Sequence, residues 1–374
     1  MKKKTSIGKI LLIVLGVIIA AALAIFAVFK IRTTIPELQG EPSVGKWYKI
    51  TPAGTKSSDG SEWNGFIRLG TENKVVVYLF GGGVSLNEET AAGDFYTKTL
   101  QYQNLFVNIG IGNMTDENPF KDWTFLVLPY STADWHAGAG EFPYTDADGK
   151  AQILYHNGYI NDNLFMQEAM RYVDTPEAVV IAGFSAGGFG TALIGDDLIT
   201  NYFPTVENVT VFADSSLLIW DGWRDTAENV WKSPENISEK LISENITLDL
   251  LCALSENHPN VKILFGCSVR DGALSMYQNY LDTGDFVATE AAGDIHQTHL
   301  SEMVRSVLEI PNSAVFIWDG IPYDKDSNLT QHTILDMEEF YSRDFNGTTV
   351  AVWLMDAVNG DLYSCGTELA DKSY

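Results

Sequence analysis

The sequence predicts an α/β fold in which a mostly parallel sheet lies between layers of helices. The chain has 374 residues, of which 45% are apolar and 20% charged, a composition typical of a globular protein with a large core. Short runs rich in Val, Ile, Leu and Phe recur along it, and continuous apolar runs suit strands that are covered on both faces. The intervals between them are long enough for crossover helices. We therefore expect a three-layer sandwich whose strands are the runs at 75–80, 124–129, 178–184, 209–214, 261–266 and 314–318.

A hydrophobic segment precedes this domain. Residues 10–29 form an uninterrupted apolar run of 20 residues, which at ~1.5 Å per residue is long enough to cross a hydrocarbon layer of ~30 Å. Lysines are concentrated before the run, within residues 1–9, whereas only Lys30 and Arg32 follow it closely. This asymmetry favours a transmembrane anchor with a cytoplasmic N-terminus and an extracytoplasmic body. The alternatives are a cleaved signal peptide, which would release a secreted protein, and a buried helix of a soluble domain.

Residues 30–46 contain prolines and glycines without apolar periodicity and are expected to be a linker, so that residues 47–374 form the globular domain.

The charge of the chain limits its partners. The formal net charge is −25, and residues 33–374 carry 18 basic against 49 acidic side chains, a charge of −31. So negative a body repels phosphate backbones, which excludes nucleic acid as a partner, and it opposes polyanionic glycans as well. Three cysteines without metal-type spacing permit at most one internal disulfide and favour neither a metal site nor a cofactor. They are Cys252, Cys267 and Cys365.

A serine lies in a Gly-x-Ser-x-Gly motif directly after the run at 178–184. Gly183, Ser185 and Gly187 make up the motif, and the residues that follow are typical of a helix. Between a strand and a helix, this motif forms the nucleophile elbow of α/β hydrolases, a turn so tight that only small residues fit around the serine. The alternative is a glycine-rich structural turn, because the motif alone also arises by chance. Its position favours Ser185 as a nucleophile.

A serine hydroxyl attacks a carbonyl group only when a histidine removes its proton and an acid orients that histidine. In this fold the order along the chain is Ser, then Asp or Glu, then His. Asp214 ends the run directly after the elbow, whereas Asp271 follows the next run, which is the usual position of the acid. We therefore favour Asp271 and expect Asp214 to support the site or to cap its strand.

Six histidines compete for the role of the base. The chain order excludes the three that precede the acid, namely His136, His156 and His258. His332 lies in a polar loop after the run at 314–318, where the histidine of such a triad belongs. His296 and His299 fall at the start of an expected helix, and we expect them on its surface. The sequence thus predicts His332 as the base.

The tetrahedral oxygen of an ester reaction needs backbone N–H donors. Gly81, Gly82 and Gly83 directly follow the run at 75–80 and leave room for a close approach of the backbone. Together with the residue after the nucleophile, this turn predicts an oxyanion hole made of the amides of Gly82, Gly83 and Ala186. A plain strand-to-loop turn is the alternative.

Several segments resemble the pectin acetylesterase and Notum family of carboxylesterases. Residues 79–83 (LFGGG) resemble the family's L-E-G-G-G, and residues 129–138 (PYSTADWHAG) are similar to its P-Y-C-T-G-D-x-H. Residues 183–190 (GFSAGGFG) resemble its G-x-S-A-G-G-x-G, residues 214–216 its D-S-G, and Asp271 with Gln278 its acid segment. The resemblance spans about residues 60–345 and implies the same triad of Ser185, Asp271 and His332.

The chain departs from that family beside the glycine turn. Val84 and Ser85 stand where the family has Trp and Cys, and Ser131 stands where it has Cys. Four tryptophans near the expected mouth of the site either contact substrate, as sugar platforms or as walls of an acyl pocket, or pack in the core. They are Trp135, Trp220, Trp223 and Trp231.

Members of the family remove acetyl groups from plant pectin or a fatty acyl group from a secreted signalling protein. The resemblance therefore implies a serine carboxylesterase, and the charge of −31 favours a neutral acetylated glycan or a small ester over polygalacturonate. We expect a membrane-tethered, extracytoplasmic enzyme that removes acyl groups, acetyl foremost, from such a substrate. The alternative from another functional class is a protein that is not an enzyme, namely a cell-surface binding module on an esterase scaffold. A peptidase is less favoured, because nothing specific to peptide recognition is visible.

Overall fold

A computed structural model describes residues 34–100, 103–345 and 347–374, and Glu37–Tyr374 form one compact unit. Residues 37–46, expected to be linker, are part of this unit. The Glu37 carboxylate accepts hydrogen bonds from the amide and the hydroxyl of Thr51 at 3.0 and 2.9 Å. The expected segments at 1–9 and 10–29 lie outside the described residues. Among those that are described, none of the helices combines the length and the apolar character that a membrane span needs.

The described residues form ten strands. They are β1 (Trp47–Ile50), β2 (Gly65–Arg68), β3 (Lys74–Leu79), β4 (Thr124–Leu128), β5 (Gly140–Thr145), β6 (Ala151–His156), β7 (Ala178–Phe184), β8 (Val209–Asp214), β9 (Lys262–Ser268) and β10 (Ser313–Trp318). Eight of them form one sheet in the order β1-β2-β4-β3-β7-β8-β9-β10. The six strands from β4 to β10 in this order pair in parallel, and β1 and β2 pair antiparallel at one edge.

The six parallel strands are the six apolar runs of the sequence. Every residue of β4, β7 and β8 is buried, and in β3, β9 and β10 only the first residue is partly exposed. Such runs are continuous because helices cover the sheet on both faces. The predicted α/β-hydrolase-like fold with a mostly parallel sheet is therefore confirmed.

The antiparallel strands were not predicted. β1 and β2 have four residues each, and the charged Lys49 and Arg68 interrupt their apolar pattern. β5 and β6 form a separate hairpin, in which β5 alternates half-buried and exposed residues. Short strands with one solvated face carry only a weak sequence signal, because alternation over so few residues also occurs by chance.

The helices of the described residues lie mainly between the strands. They are α1 (Glu88–Ala92), α2 (Gln103–Phe106), α3 (Gly158–Ala169), α4 (Ala186–Tyr202), α5 (Trp223–Asp225), α6 (Glu235–Ser238), α7 (Ile246–Asn257), α8 (Gly272–Thr283), α9 (Glu290–Val307), α10 (Glu339–Ser342) and α11 (Val350–Asn359). Three short 3₁₀ turns, Gly110–Gly112, Met170–Tyr172 and Thr367–Asp371, and a π turn, Thr226–Trp231, complete them.

Parallel pairing brings the carboxyl ends of the central strands to one edge of the sheet. The glycine turn follows β3, Ser185 follows β7, Asp214 ends β8, and Asp271 follows β9. The loop that contains His332 comes after β10, the strand beside β9. Residues that are far apart along the chain therefore meet at this edge, where α/β sheets bind their ligands.

Helix α4 approaches the end of β3 so closely at Gly187 that the position has no room for a side chain. A Cβ at Gly187 would collide with the carbonyl oxygen of Leu79 and lie 2.7 Å from that of Phe80. Gly187→Ala is therefore expected to lower the free energy of unfolding by about 1–3 kcal/mol, as overpacking does. Gly195→Ala on the same helix is the matched control, because its Cβ would meet only Leu254 Cδ1 at 3.4 Å.

The control is expected to be neutral or to gain up to ~1 kcal/mol from helix propensity. Urea denaturation of both variants measures the difference. Equal stabilities for the two would contradict this close approach.

Candidate active site

Ser185 sits in a strained turn between β7 and α4. Its φ of 54° and ψ of −124° place a non-glycine residue at positive φ, a conformation that costs of order 1–3 kcal/mol and persists only where the surroundings enforce it. The Ser185 amide donates a hydrogen bond of 2.9 Å to the Asp214 carbonyl oxygen on the neighbouring strand. A Cβ at Gly183 would collide with the Gly187 carbonyl oxygen. The motif therefore has glycines because the turn leaves no space, as in a nucleophile elbow.

His332 and Asp271 form a hydrogen-bonded pair. The imidazole Nδ1 donates to Asp271 Oδ2 at 2.7 Å, and the carboxylate is fully buried while the ring is 18% exposed. Asp271 is also the N-cap of α8, where its Oδ1 accepts the Leu274 amide at 2.9 Å. The bond to Leu274 thus fixes the carboxylate, and Asp271 Oδ2 orients the imidazole and leaves its Nε2 available for chemistry.

The pKa values of this pair move in opposite directions. Burial lowers the pKa of His332, but the charges of Asp271, Asp214 and Asp336 and the hydrogen bond that His332 donates to Asp271 outweigh burial, so the pKa is raised. Burial raises the pKa of Asp271, but His332 outweighs it and the pKa is lowered. The site therefore favours the ion pair, which stabilises an imidazolium formed when His332 takes a proton.

Asp214 is separate from this pair and holds the loop behind it. Its Oδ2 accepts the amides of Ile334 and Leu335 at 2.8 and 2.9 Å. Its neighbour Ser215 donates to Asp214 Oδ1 and accepts the amide of Thr333 at 3.2 Å. Burial raises the pKa of Asp214 to about 7. The residue fixes the chain directly after His332, in agreement with the supporting role that the chain order suggested.

Ser185 and His332 line the same two cavities. Among the described residues, no hydrogen bond joins Ser185 Oγ to His332 Nε2. Hydrogen bonds of this kind are often long in ligand-free enzymes and tighten when substrate binds. The structure thus brings the nucleophile candidate and the base candidate to one surface, with Asp271 behind the base.

The amides expected to form the oxyanion hole point to no acceptor. Within the described part of the chain, the N–H groups of Gly82, Gly83 and Ala186 make no backbone hydrogen bond. Ala186 begins α4, where first-turn amides lack intrahelical partners. Gly83 has a φ of +79°, and a Cβ there would collide with the Phe95 carbonyl oxygen. These amides are available to a negatively charged oxygen beside Ser185.

The segment at 129–138 holds both ends of the glycine turn. Tyr130 donates its hydroxyl to the Gly83 carbonyl oxygen at 2.9 Å. His136 Nε2 lies 3.0 Å from the Phe80 carbonyl oxygen, which can only accept, so Nε2 carries a proton. His136 Nδ1 contacts Asp162 Oδ2 at 2.8 Å, and both side chains are buried. Burial lowers the pKa of His136, but Asp162 outweighs burial and the pKa is raised.

Sequence reasoning did not assign these supporting roles. The chain order excluded His136 as a candidate base, yet it gave no reason for the presence of this histidine. The signal that could have found it is the unusual segment at 129–138, which combines an aspartate, a tryptophan and a histidine in a row. Its partner Asp162 lies on α3, 26 residues away, and only the fold brings them together.

The remaining candidates lie elsewhere. His156 is buried in β6, and His258 contacts Asp196 at 2.8 Å. The expected surface position of His296 is wrong, because it is 1% exposed and its Nε2 lies 3.6 Å from Cys267 Sγ. It lies on the inner face of α9, which packs against the sheet, whereas His299 is half-buried. The three cysteines, Cys252, Cys267 and Cys365, are not disulfide-bonded.

Aromatic packing accounts for three of the four tryptophans. Trp135 stacks on Phe189 with ring centroids 3.8 Å apart and contacts the rings of Trp223 and Trp231. All three tryptophans are at most 2% exposed. The core alternative is therefore the correct one for Trp223 and Trp231, whereas Trp135 packs in the core and also lines a cavity beside Ser185. Trp220 is half-buried against Trp223.

Two cavities of very different size meet at Ser185. The large cavity has a volume of about 520 Å³ and extends past Phe80, Phe106 and Phe184. The small cavity has a volume of about 20 Å³, close to the space that one water molecule needs. Its walls are apolar and are formed by Val84, Trp135, Phe189, Leu218 and Leu274, with Ala186 beside them.

The fold and the site define a class: an α/β-hydrolase-like fold that presents a serine, a histidine and an aspartate at the carboxyl edge of its sheet. No protein-family model and no curated protein sequence matches the chain. Among solved structures, the chain is similar to the Wnt deacylase Notum from Drosophila. The two share 15% sequence identity with a TM-score of 0.57, over 83% of this chain and 93% of that one. At this identity the likeness establishes the fold.

Proposed function

We propose that the protein is a serine carboxylesterase in which Ser185 is the nucleophile, His332 the general base and Asp271 the acid that orients it. The observation that carries the proposal is the 2.7 Å contact of His332 with the buried Asp271 at a cavity that also contains Ser185. The amides of Gly82, Gly83 and Ala186, which have no backbone acceptor within the described residues, supply the oxyanion hole that such chemistry requires.

The first half of the reaction is acylation. Ser185 Oγ attacks the ester carbonyl carbon while His332 Nε2 takes the hydroxyl proton, and the resulting oxyanion accepts hydrogen bonds from the three amides. The bond from the carbonyl carbon to the alcohol oxygen then breaks, and His332 returns the proton to the departing alcohol. The imidazolium between these steps is stabilised by Asp271.

Deacylation repeats these steps with water. His332 removes a proton from a water molecule, whose oxygen attacks the carbonyl carbon of the acyl-enzyme. The bond to Ser185 Oγ breaks, the serine regains its proton from His332, and the carboxylic acid leaves. No cofactor is needed for this balance of atoms and protons.

We propose that the acyl group enters the small cavity and the alcohol the large one. The small cavity borders Ala186, a proposed oxyanion donor, and its apolar walls suit a methyl group. The large cavity is more open, as release of an alcohol product requires. Acetyl esters of a glycan or a small alcohol are therefore the proposed substrates.

A distant relationship to the pectin acetylesterase and Notum family is also part of the proposal. It is supported by the five resembling segments and by the likeness in fold to the Wnt deacylase Notum. A membrane anchor at residues 10–29 with the esterase domain on the extracytoplasmic side remains our proposal for location. It rests on the apolar run and its basic flank.

Removal of the nucleophile tests the function. Wild-type protein is expected to be labelled by a fluorophosphonate at Ser185, and Ser185→Ala to abolish labelling and lower p-nitrophenyl acetate turnover by at least about 10³-fold. Ser301→Ala, whose hydroxyl contacts Asp371 away from both cavities, is the control and should keep both signals. A wild-type protein that is neither labelled nor active would favour the binding-module alternative.

Acyl-chain length tests the assignment of the cavities. Wild-type kcat/KM is expected to fall from acetyl to butyryl to octanoyl esters, because the small cavity has no room for further methylenes. Leu218→Ala removes an isopropyl group from its wall and should raise the butyryl-to-acetyl ratio by about tenfold, in the range of one or two methylenes. Leu217→Ala is the matched control, since Leu217 is equally buried and does not line the cavity.

An unchanged ratio in Leu218→Ala, or a wild-type preference for octanoyl esters, would show that the acyl chain enters the large cavity instead.

A further inference from the structure

The large cavity has a distinctive chemical character beyond its size. Four aromatic residues line it, namely Phe80, Phe106, Phe184 and Tyr277, and the one carboxylate among its described lining residues belongs to Asp336. No lysine or arginine occurs among those lining residues. A cavity with aromatic walls and a carboxylate, and with no lysine or arginine among its described lining residues, differs from one built for an anionic substrate.

No lysine or arginine of the described residues forms an ion pair with the Asp336 carboxylate. Its Oδ1 accepts the hydroxyl of Thr333 at 2.7 Å, and Thr333 is itself fixed through its amide to Ser215. Burial raises the pKa of Asp336, and the cationic charge that opposes this rise comes from His332. Because His332 Nδ1 is already bound to Asp271, the Asp336 carboxylate has no hydrogen-bonding role in the proposed mechanism, and only its charge acts on His332, by helping to raise the pKa of that residue.

Three of the four aromatic residues are held by packing or by a hydrogen bond. Phe80 and Phe184 pack together with ring centroids 5.6 Å apart, and both are buried. Tyr277 packs edge-on against Phe286 at 4.8 Å, and its hydroxyl donates to the Phe95 carbonyl oxygen. Aromatic faces attract ammonium groups, and the attraction reaches ~2 kcal/mol in desolvated sites.

The net charge of the whole molecule also favours a cationic substrate. A formal charge of −25 raises the local concentration of cations and lowers that of anions near the surface. This long-range field would favour the encounter with a cationic substrate and oppose the encounter with a polyuronate.

We propose that the large cavity binds a cationic group on the alcohol portion of the substrate, so that the preferred substrates are acetyl esters of ammonium-bearing alcohols. The ammonium group contacts the Asp336 carboxylate and the aromatic faces, while the acetyl group occupies the small cavity. This inference rests on the proposed esterase function and adds the charge of the leaving alcohol.

A pair of isosteric esters tests the proposal. Acetylcholine carries a trimethylammonium group, and 3,3-dimethylbutyl acetate carries a neutral tert-butyl group of the same shape. Wild-type kcat/KM is expected to be at least about tenfold higher for the cationic ester, which corresponds to ~1.4 kcal/mol. Hydrolysis of both esters at equal efficiency would overturn this inference and leave the esterase function standing. Hydrolysis of neither would count against both.

Two variants assign the source of the preference. Asp336→Asn should lower the cation-to-neutral ratio by about tenfold through loss of the carboxylate charge. Glu239→Gln changes the net charge equally at an exposed position outside the cavity and should leave the ratio unchanged. A ratio that survives in Asp336→Asn, or that falls as much in Glu239→Gln, would refute the role of Asp336. The cation-to-neutral ratio of kcat/KM is measured in the wild-type protein. It therefore tests the preference for a cationic substrate even if Asp336→Asn fails to fold.

Discussion

The hydrogen bond from His332 Nδ1 to Asp271 Oδ2 is the interaction on which the rest of the site depends. It joins the end of β9 to the loop after β10, and the parallel pairing of these two strands brings the residues together across 61 positions of the chain. The N-cap bond of α8 fixes the acid, and Asp214 fixes the backbone after the base through the amides of Ile334 and Leu335. Because both partners are held independently, the imidazole has one orientation toward the cavity.

Strain is concentrated around this interaction. Non-glycine residues with positive φ include Ser185 at the elbow, Ser215 beside Asp214, Thr333 beside His332, and Ala133, Trp135 and His136 in the segment that holds the glycine turn. Each such conformation costs free energy and requires support from its surroundings. The support comes from buried polar contacts, above all the Asp162–His136 pair and its bond to the Phe80 carbonyl oxygen. The glycine turn and the Ser185 turn are thereby held in place by contacts within the protein.

The local sequence pattern was enough to predict the parallel strands and the candidate residues at their ends. The features that depend on long-range packing were not predicted. The six parallel strands were predictable because burial on both faces leaves continuous apolar runs. Strand ends and chain order selected Ser185, Asp271 and His332 as candidates, and the fold brings these three residues to one edge of the sheet. The hairpin β5–β6 was missed because its alternation is short, and the burial of His296 because sequence does not show which face of α9 meets the sheet. Asp336 was not predicted, since its place in the cavity depends on the turn at Thr333.

The acylation rate of Asp271→Asn tests the central claim most directly. Asparagine can still cap α8 and accept from Leu274, so the fold is expected to persist, but it cannot stabilise an imidazolium. Stopped-flow release of p-nitrophenol from p-nitrophenyl acetate measures this step alone. The account predicts that the first-turnover rate falls by about 10⁴-fold relative to the wild-type protein. A rate within tenfold of the wild-type value would contradict the claim that the Asp271–His332 pair activates Ser185.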